Sequence, residues 1–190
     1  MLKFLMTVLF ASSMLLGCDG ERSEEPAETT APAAVAIPAD TFLTSRPTDA
    51  QDLLAVKNTA AIGDDVTFLA RVGGRVKPFV ESQAIFVAAD PSLKSCEIIS
   101  DDDHCTVPWD YCCEDGQLLR EGMATIRIVD AEGRPIRMNA NGAGGLEPAK
   151  YIVVRGTVSD RNDEGLFIVD ASGIWVGGKP TFKEPRKGSM

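Results

Sequence analysis

The central part of the chain alternates between apolar and polar residues over short runs, which is the pattern of half-buried β-strands. Residues 66–72 show this pattern most clearly, with Val66, Phe68, Ala70 and Val72 on one side. Turn-forming residues such as Gly, Asp and Asn separate this run from the later ones. The later runs predict strands at 84–90, 124–129, 134–140 (a fourth strand or an extension of the third), 151–158, 166–170 and 174–176.

One short helix is predicted before these strands. Residues 45–58 begin with two possible cap residues, Ser45 and Thr48, and an apolar side starts at Leu53. The Gly73-Gly74 pair after the first strand predicts a bulge or a bend. A short helix followed by five or six strands predicts an all-β fold, a small barrel of five to six strands.

The amino terminus carries an export signal. Lys3 precedes an apolar run over residues 4–16, which is shorter than the roughly 20 residues that span a bilayer and typical of a signal peptide. The run ends in "LLGC", which resembles the lipobox of bacterial lipoproteins. The resemblance implies cleavage after residue 17, acylation of Cys18 and anchoring to a bacterial membrane. The alternative is an ordinary secretory signal that is followed by an incidental cysteine.

The chain divides into four regions by composition. Pro, Ala, Glu and Thr dominate residues 19–40, which contain no aromatic side chain and too little apolar surface to fold. The remaining length suits one domain. We therefore predict a signal peptide at 1–17, a lipidated amino terminus and disordered linker at 18–42, a barrel domain at 43–177 and a flexible tail at 178–190.

Both ends of the predicted barrel resemble an OB-fold. "GDDVTFLARVGGRV" resembles its first strand, and "KYIVVRGTVSD" and "GLFIVDASGIWV" resemble its closing pair. The resemblance covers residues 62–176 and implies a face that can bind oligonucleotides or oligosaccharides. The chain is also similar to envelope lipoproteins that carry a "PWDYCC" loop, which implies a location at the envelope but no activity.

The net charge and the motif content of the chain argue against two classes of function, nucleic-acid binding and catalysis. The formal net charge of −9 argues against nucleic acid, since phosphate binding relies on cationic side chains. The chain has one histidine and no Gly-x-Ser-x-Gly motif, so no set of catalytic residues is recognisable. We therefore expect a protein that is not an enzyme, needs no cofactor and contacts a protein, peptide or glycan of the envelope.

Four cysteines lie close together in "CEIISDDDHCTVPWDYCC". An even number of cysteines in an oxidising compartment predicts two disulfides, drawn from Cys96, Cys105, Cys112 and Cys113. A Cys112–Cys113 bond would close a strained ring, so we expect each of the other two cysteines to pair with one member of this adjacent pair. Such a staple would order a long loop.

Two other uses of the cysteine loop stay open. A zinc or copper site could use Cys96, His104, Cys105 and a carboxylate, although the spacing lacks the short Cys-x-x-Cys pairs of most zinc sites. Thiol exchange would require an exposed thiol with a low pKa.

The aromatic residues of the same loop are candidate contacts for a partner. Trp109 and Tyr111 stand beside the predicted bridges, and rigid aromatic side chains often anchor protein interfaces. In the alternative, Trp109 covers the open end of the barrel as part of the core. The resulting hypothesis is a non-catalytic envelope lipoprotein, facing the periplasm or the exterior, that presents a stapled loop.

Replacing the lipidated cysteine tests the anchor. Cys18→Ala should move the protein from the membrane fraction to the soluble fraction, because the acyl acceptor is lost. Fractionation and uptake of labelled fatty acid measure this. A variant that stays in the membrane, together with an unlabelled wild type, would contradict the lipobox assignment.

The mass of the natively isolated protein tests the staple. Two disulfides should make the oxidised protein about 4 Da lighter than its reduced form, since each bond removes two hydrogens. Intact mass spectrometry with and without reductant, controlled by alkylation of the unreduced sample, measures this. Four thiols that react before reduction would exclude the staple.

Overall fold

The computed structural model describes residues 36–95 and 106–179. These residues form a mostly β structure with two short α-helices and three 3₁₀ turns. The strands are β1 Gln51–Asp52, β2 Asp65–Val72, β3 Ile85–Ala89, β4 Met123–Arg127, β5 Tyr151–Arg161 and β6 Phe167–Val176. The helices are α1 Leu53–Thr59 and α2 Gly116–Glu121, and the 3₁₀ turns are Ala39–Thr41, Pro108–Asp110 and Ala143–Gly145.

Five of the strands close into a barrel. β2 pairs with β3 and β3 with β4, both antiparallel, and β4 then pairs in parallel with β6. β6 pairs antiparallel with β5, and β5 returns to β2, which closes the ring. β1 adds two residues in parallel beside β2. The predicted all-β barrel of five to six strands is therefore confirmed.

Alternation along the strands places one face of each in the interior. Phe68 on β2, Phe86 on β3, Ile126 on β4 and Val154 on β5 are all fully buried. Burial of each such side chain contributes roughly 1.5–3 kcal/mol, so this shared core holds the five strands together. α1 adds Leu53 to the same cluster.

A glycine on β5 permits a close approach between β5 and β6. A Cβ added at Gly156 would lie 2.3 Å from the backbone oxygen of Asp170 on β6. The β5–β6 register shifts between Arg155 and Gly156, as at a β-bulge. The missing side chain therefore lets β5 bend while it pairs with both of its neighbours.

The helix begins later in the chain than predicted. Neither Ser45 nor Thr48 caps it. The amide of Leu54 donates instead to Asp90 Oδ2 at 2.8 Å, and Asp90 is 2% exposed. The cap thus comes from a residue far away in sequence, which a local capping pattern cannot reveal.

Two strand predictions change. Residues 134–140 form no strand, and only an isolated bridge joins Val129 to Pro135, because Pro135 has no amide proton to donate to a ladder. Residues 166–170 and 174–176 are parts of one strand, β6. The small residues between them suggested a break but remain paired with β5.

Two residues before the predicted boundary at residue 43 contact the barrel. Ile37 and Phe42 pack against the core, and Phe42 bridges Ile174 on β6. The predicted signal peptide, Cys18, the predicted linker up to residue 35 and residues 180–190 lie outside the described residues. Within the described ranges, neither α-helix is long and apolar enough to cross a bilayer.

Candidate functional site

The PWD turn of the cysteine loop lies against the bend that follows β2. The carbonyl oxygen of Trp109 accepts a hydrogen bond from the amide of Gly74 at 2.7 Å. The Trp109 indole Nε1 donates to the carbonyl of Val76 at 3.1 Å. A Cβ at Gly73 would lie 2.5 Å from the Trp109 carbonyl oxygen. The glycine pair therefore provides space for the turn, and Trp109 is half-buried against the barrel.

Tyr111 points into the interior rather than to the surface. Its side chain is 1% exposed and packs with Ala89 and Leu93. The guanidinium carbon of buried Arg71 lies 5.2 Å from the centre of its ring. Tyr111 has a left-handed backbone, with φ of 60°, which is uncommon for a non-glycine residue and not evident from the local sequence. The Tyr111 side chain is therefore covered by the protein itself, whereas a contact residue was expected on the surface.

The adjacent cysteines are exposed and not bonded to each other. The sulfur atoms of Cys112 and Cys113 are 3.8 Å apart, whereas a disulfide measures about 2.05 Å. Cys18, Cys96, His104 and Cys105 lie outside the described residues, so both the staple and the metal site stay predictions. In the described ranges, no three His, Cys, Asp or Glu side chains are grouped to hold a metal ion.

A groove of about 320 Å³ lies over the outward face of β3 and β4. Its floor contains Val87 of β3 and Thr125 of β4, which are direct cross-strand neighbours, together with Met123. All three side chains are half-buried, because alternation turns them away from the barrel interior. This face therefore carries an accessible surface of both aliphatic and polar side chains.

Three connecting segments form the walls of the groove. Arg75 contributes from the bend after β2, Arg120 from the end of α2, and residues 162–166 from the β5–β6 hairpin. The carboxylate of Asp115 caps α2, because its Oδ1 accepts hydrogen bonds from the backbone amides of Gln117 at 2.8 Å and Leu118 at 3.1 Å. Asn162 Oδ1 closes the hairpin turn by accepting from two amides at 3.0 and 2.9 Å. Local hydrogen bonds thus order the α2 wall and the hairpin wall.

Lys57 of α1 joins the walls to the floor. Its side chain is buried, and Nζ donates to the carbonyl oxygens of Arg120, Met123 and Gly165, each at 2.7 Å. Gly165 has a φ of +100°, and a Cβ there would lie 3.1 Å from the Arg120 carbonyl oxygen. One ammonium group therefore holds three groove segments together.

Burial lowers the pKa of Lys57 to about 8, since desolvation disfavours the charged form. The positive charge of Arg161 lowers this pKa further, while Glu121 opposes the shift. At neutral pH the ammonium form still predominates. Its three N–H groups match the three carbonyl acceptors, which is the full donor capacity of a lysine.

Sequence reasoning did not identify this groove. Lys57 stands within the apolar side of the predicted helix, and a lysine among apolar positions was the one available signal. Arg75 and Arg120 belong to separate segments with no shared motif. Only the strand pairing brings these segments to the same face.

Comparison with known proteins adds no assignment. No protein-family profile matches the chain, and neither a curated protein nor a solved structure is significantly similar to it.

Replacing the buried lysine should weaken the fold. Lys57→Met leaves three carbonyl groups without their donor, and each unsatisfied buried group costs about 1–3 kcal/mol. We expect a loss of at least about 2 kcal/mol in urea unfolding at pH 7. The control is Lys77→Met, whose exposed side chain should change stability by less than about 0.5 kcal/mol.

The stability difference between the wild type and Lys57→Met should depend on pH. Between pH 8 and about 10.5, folded Lys57 releases its proton while the unfolded lysine keeps it. The unfolded state then binds more protons than the folded state. The contribution of Lys57 to the free energy of unfolding therefore increases as the pH rises. The stability advantage of the wild type over Lys57→Met should therefore grow across this window. A shrinking advantage would show that the carbonyl acceptors outweigh desolvation.

Proposed function

We propose that the chain is a bacterial envelope lipoprotein, anchored through Cys18, whose barrel is a non-catalytic OB-fold-like binding module. The "LLGC" sequence after the apolar run supports the anchor. One acyl chain holds a protein only marginally, and a stable anchor needs a second membrane-binding signal. A lipobox cysteine carries two or three chains and would meet this requirement.

The connectivity of the barrel supports an OB-like assignment. Counted from β2 as the first barrel strand, the ring runs first, second, third, fifth, fourth and back to the first. The third and fifth strands, β4 and β6, pair in parallel. This order and this single parallel pair are those of an OB barrel, and Gly73-Gly74 bends the chain where the first strand ends.

The groove over β3 and β4 is the observation that carries the binding role. OB barrels bind ligands on the face of their second and third strands, between the loops that connect strands one and two and strands four and five. Here the corresponding loops are the bend with Arg75 and the hairpin at 162–166, and both line the groove. The ligand classes that fit are a protein segment, a peptide or a glycan of the envelope.

The cysteine loop has a supporting role in this proposal. Trp109 bonds to the backbone of the bend on both sides of Arg75, so the loop braces one wall of the groove. We assign Cys112 and Cys113 to separate bridges, each with one of Cys96 and Cys105. The two disulfides would hold the turn at Trp109 against the bend rather than present it to a partner.

Filling the floor of the groove tests this function. Thr125→Trp places a large ring between the walls, whereas Ala131→Trp adds the same ring to an exposed turn outside the groove. Thermal unfolding of the full-length proteins is measured against panels of envelope-derived peptides and oligosaccharides. A ligand that binds the native state should raise the melting temperature of the wild type and of Ala131→Trp, but not of Thr125→Trp.

Two outcomes would contradict the proposal. A ligand that stabilises Thr125→Trp as strongly as the wild type binds elsewhere on the chain. Failure of every peptide and oligosaccharide to stabilise the wild type would remove the support for a binding module.

A further inference from the structure

We propose that the groove recognises a carboxylate-bearing segment of an extended peptide, with Arg75 and Arg120 binding the carboxylate. This inference rests on the proposed function, because it assigns a ligand class to the same groove.

Three arginines outside the groove already have carboxylate partners. Arg127, Arg134 and Arg155 each reach a carboxylate oxygen within 2.9 Å. Arg75 and Arg120 are exposed and take part in none of the ion pairs formed among the described residues.

Carboxylates are abundant in this chain, yet none forms an ion pair with Arg75 or Arg120 among the described residues. The chain has 28 acidic residues and only 19 lysines and arginines, so carboxylates are plentiful for pairing. Arg75 and Arg120 nevertheless both line one cavity, and neither has an ion-pair partner in the described part of the chain. A guanidinium presents several N–H donors in a planar fork that matches the two oxygens of a carboxylate. A ligand carboxylate would supply the acceptors that these arginines lack.

Glu164 adds a negatively charged side chain to the lining of the groove. It lines the cavity from the tip of the hairpin and is exposed. Its negative charge would repel a ligand carboxylate placed beside it, since like charges at close range are unfavourable. The acidic group of the ligand should therefore contact Arg75 and Arg120 and lie away from the Glu164 carboxylate.

The floor favours a peptide over a sugar or a nucleobase. Val87, Met123 and Leu166 offer aliphatic surface, and Leu166 is 37% exposed. The aromatic residue among the lining side chains is Phe167, which is 2% exposed. The lining therefore offers no flat ring on which a sugar or a base could stack, whereas aliphatic peptide side chains fit this surface.

The geometry of the walls is fixed before a ligand arrives. Lys57 Nζ bonds to the carbonyl oxygens of Arg120, Met123 and Gly165, so the two walls and the floor share one anchor. Binding to a preorganised groove loses less ordering entropy than binding to mobile loops. A short peptide can then bind measurably through few contacts.

Calorimetry with two peptides and four arginine variants tests the inference. The probes are the amidated, acetylated hexapeptide Gly-Leu-Glu-Leu-Glu-Gly and its analogue with Gln in place of Glu. The full-length wild type is compared with Arg75→Gln, Arg120→Gln, the double variant and Arg137→Gln. Arg137 is exposed, lies outside the groove and forms no ion pair among the described residues, so it is the matched control.

The expected result is specific to charge. Each single groove variant should bind the acidic peptide about tenfold more weakly, as expected for the loss of one charge-assisted hydrogen-bonding pair. Arg137→Gln should bind it as the wild type does. The Gln peptide should bind the wild type at least about tenfold more weakly than the Glu peptide.

Failure of this inference is distinguishable from failure of the proposed function. If both peptides bind equally and Thr125→Trp blocks both, the carboxylate role is wrong but the groove remains a binding site. If the acidic peptide binds Thr125→Trp as tightly as the wild type, the groove is not its site and both proposals fall. If neither peptide binds, the peptide inference is overturned while a glycan ligand is still testable.

Discussion

The ammonium group of Lys57 is the interaction on which the shape of the groove depends. Its three carbonyl partners lie 63, 66 and 108 residues further along the chain. Burying a charged lysine is unfavourable, and three bonds of 2.7 Å to carbonyl oxygens reduce that penalty. The lowered pKa of Lys57 shows that part of the desolvation penalty remains. The same charge that resists burial therefore joins the end of α2, the start of β4 and the β5–β6 hairpin.

The rest of the binding face follows from close backbone contacts. Gly165 lets the hairpin approach Arg120, and Gly73 lets the turn at Trp109 approach the bend after β2. In each place a side chain would separate two segments that form a wall. The barrel supplies the floor through ordinary strand alternation, and the glycines and Lys57 supply the enclosure. A closed barrel with a fixed groove suits a binding module.

The alternation of apolar and polar residues predicted the strands, but it did not predict features that depend on residues distant in the sequence. The alternation at 66–72 and 151–158 matches β2 and β5, because those strands are buried on one face along most of their length. The start of α1 was misplaced because its cap comes from Asp90. The orientation of Tyr111 depends on a single left-handed residue.

The candidate site was less accessible to sequence reasoning than the fold. The cysteine loop is recognisable from the sequence because its residues are contiguous and chemically distinctive. Arg75, Arg120 and the hairpin are separated by tens of residues, and only the closed pairing order places them together. The loop and the groove are nevertheless connected, since Trp109 binds the backbone on either side of Arg75.

The most direct test of this account maps the binding face residue by residue. Amide chemical shifts of the ¹⁵N-labelled full-length protein are recorded during titration with the acidic hexapeptide. The account predicts that the largest changes cluster at Arg75, Val87, residues 120–125 and residues 162–167, with the core strand β5 little affected. Changes concentrated at residues 106–113, with the groove amides unmoved, would contradict it and return the binding role to the cysteine loop.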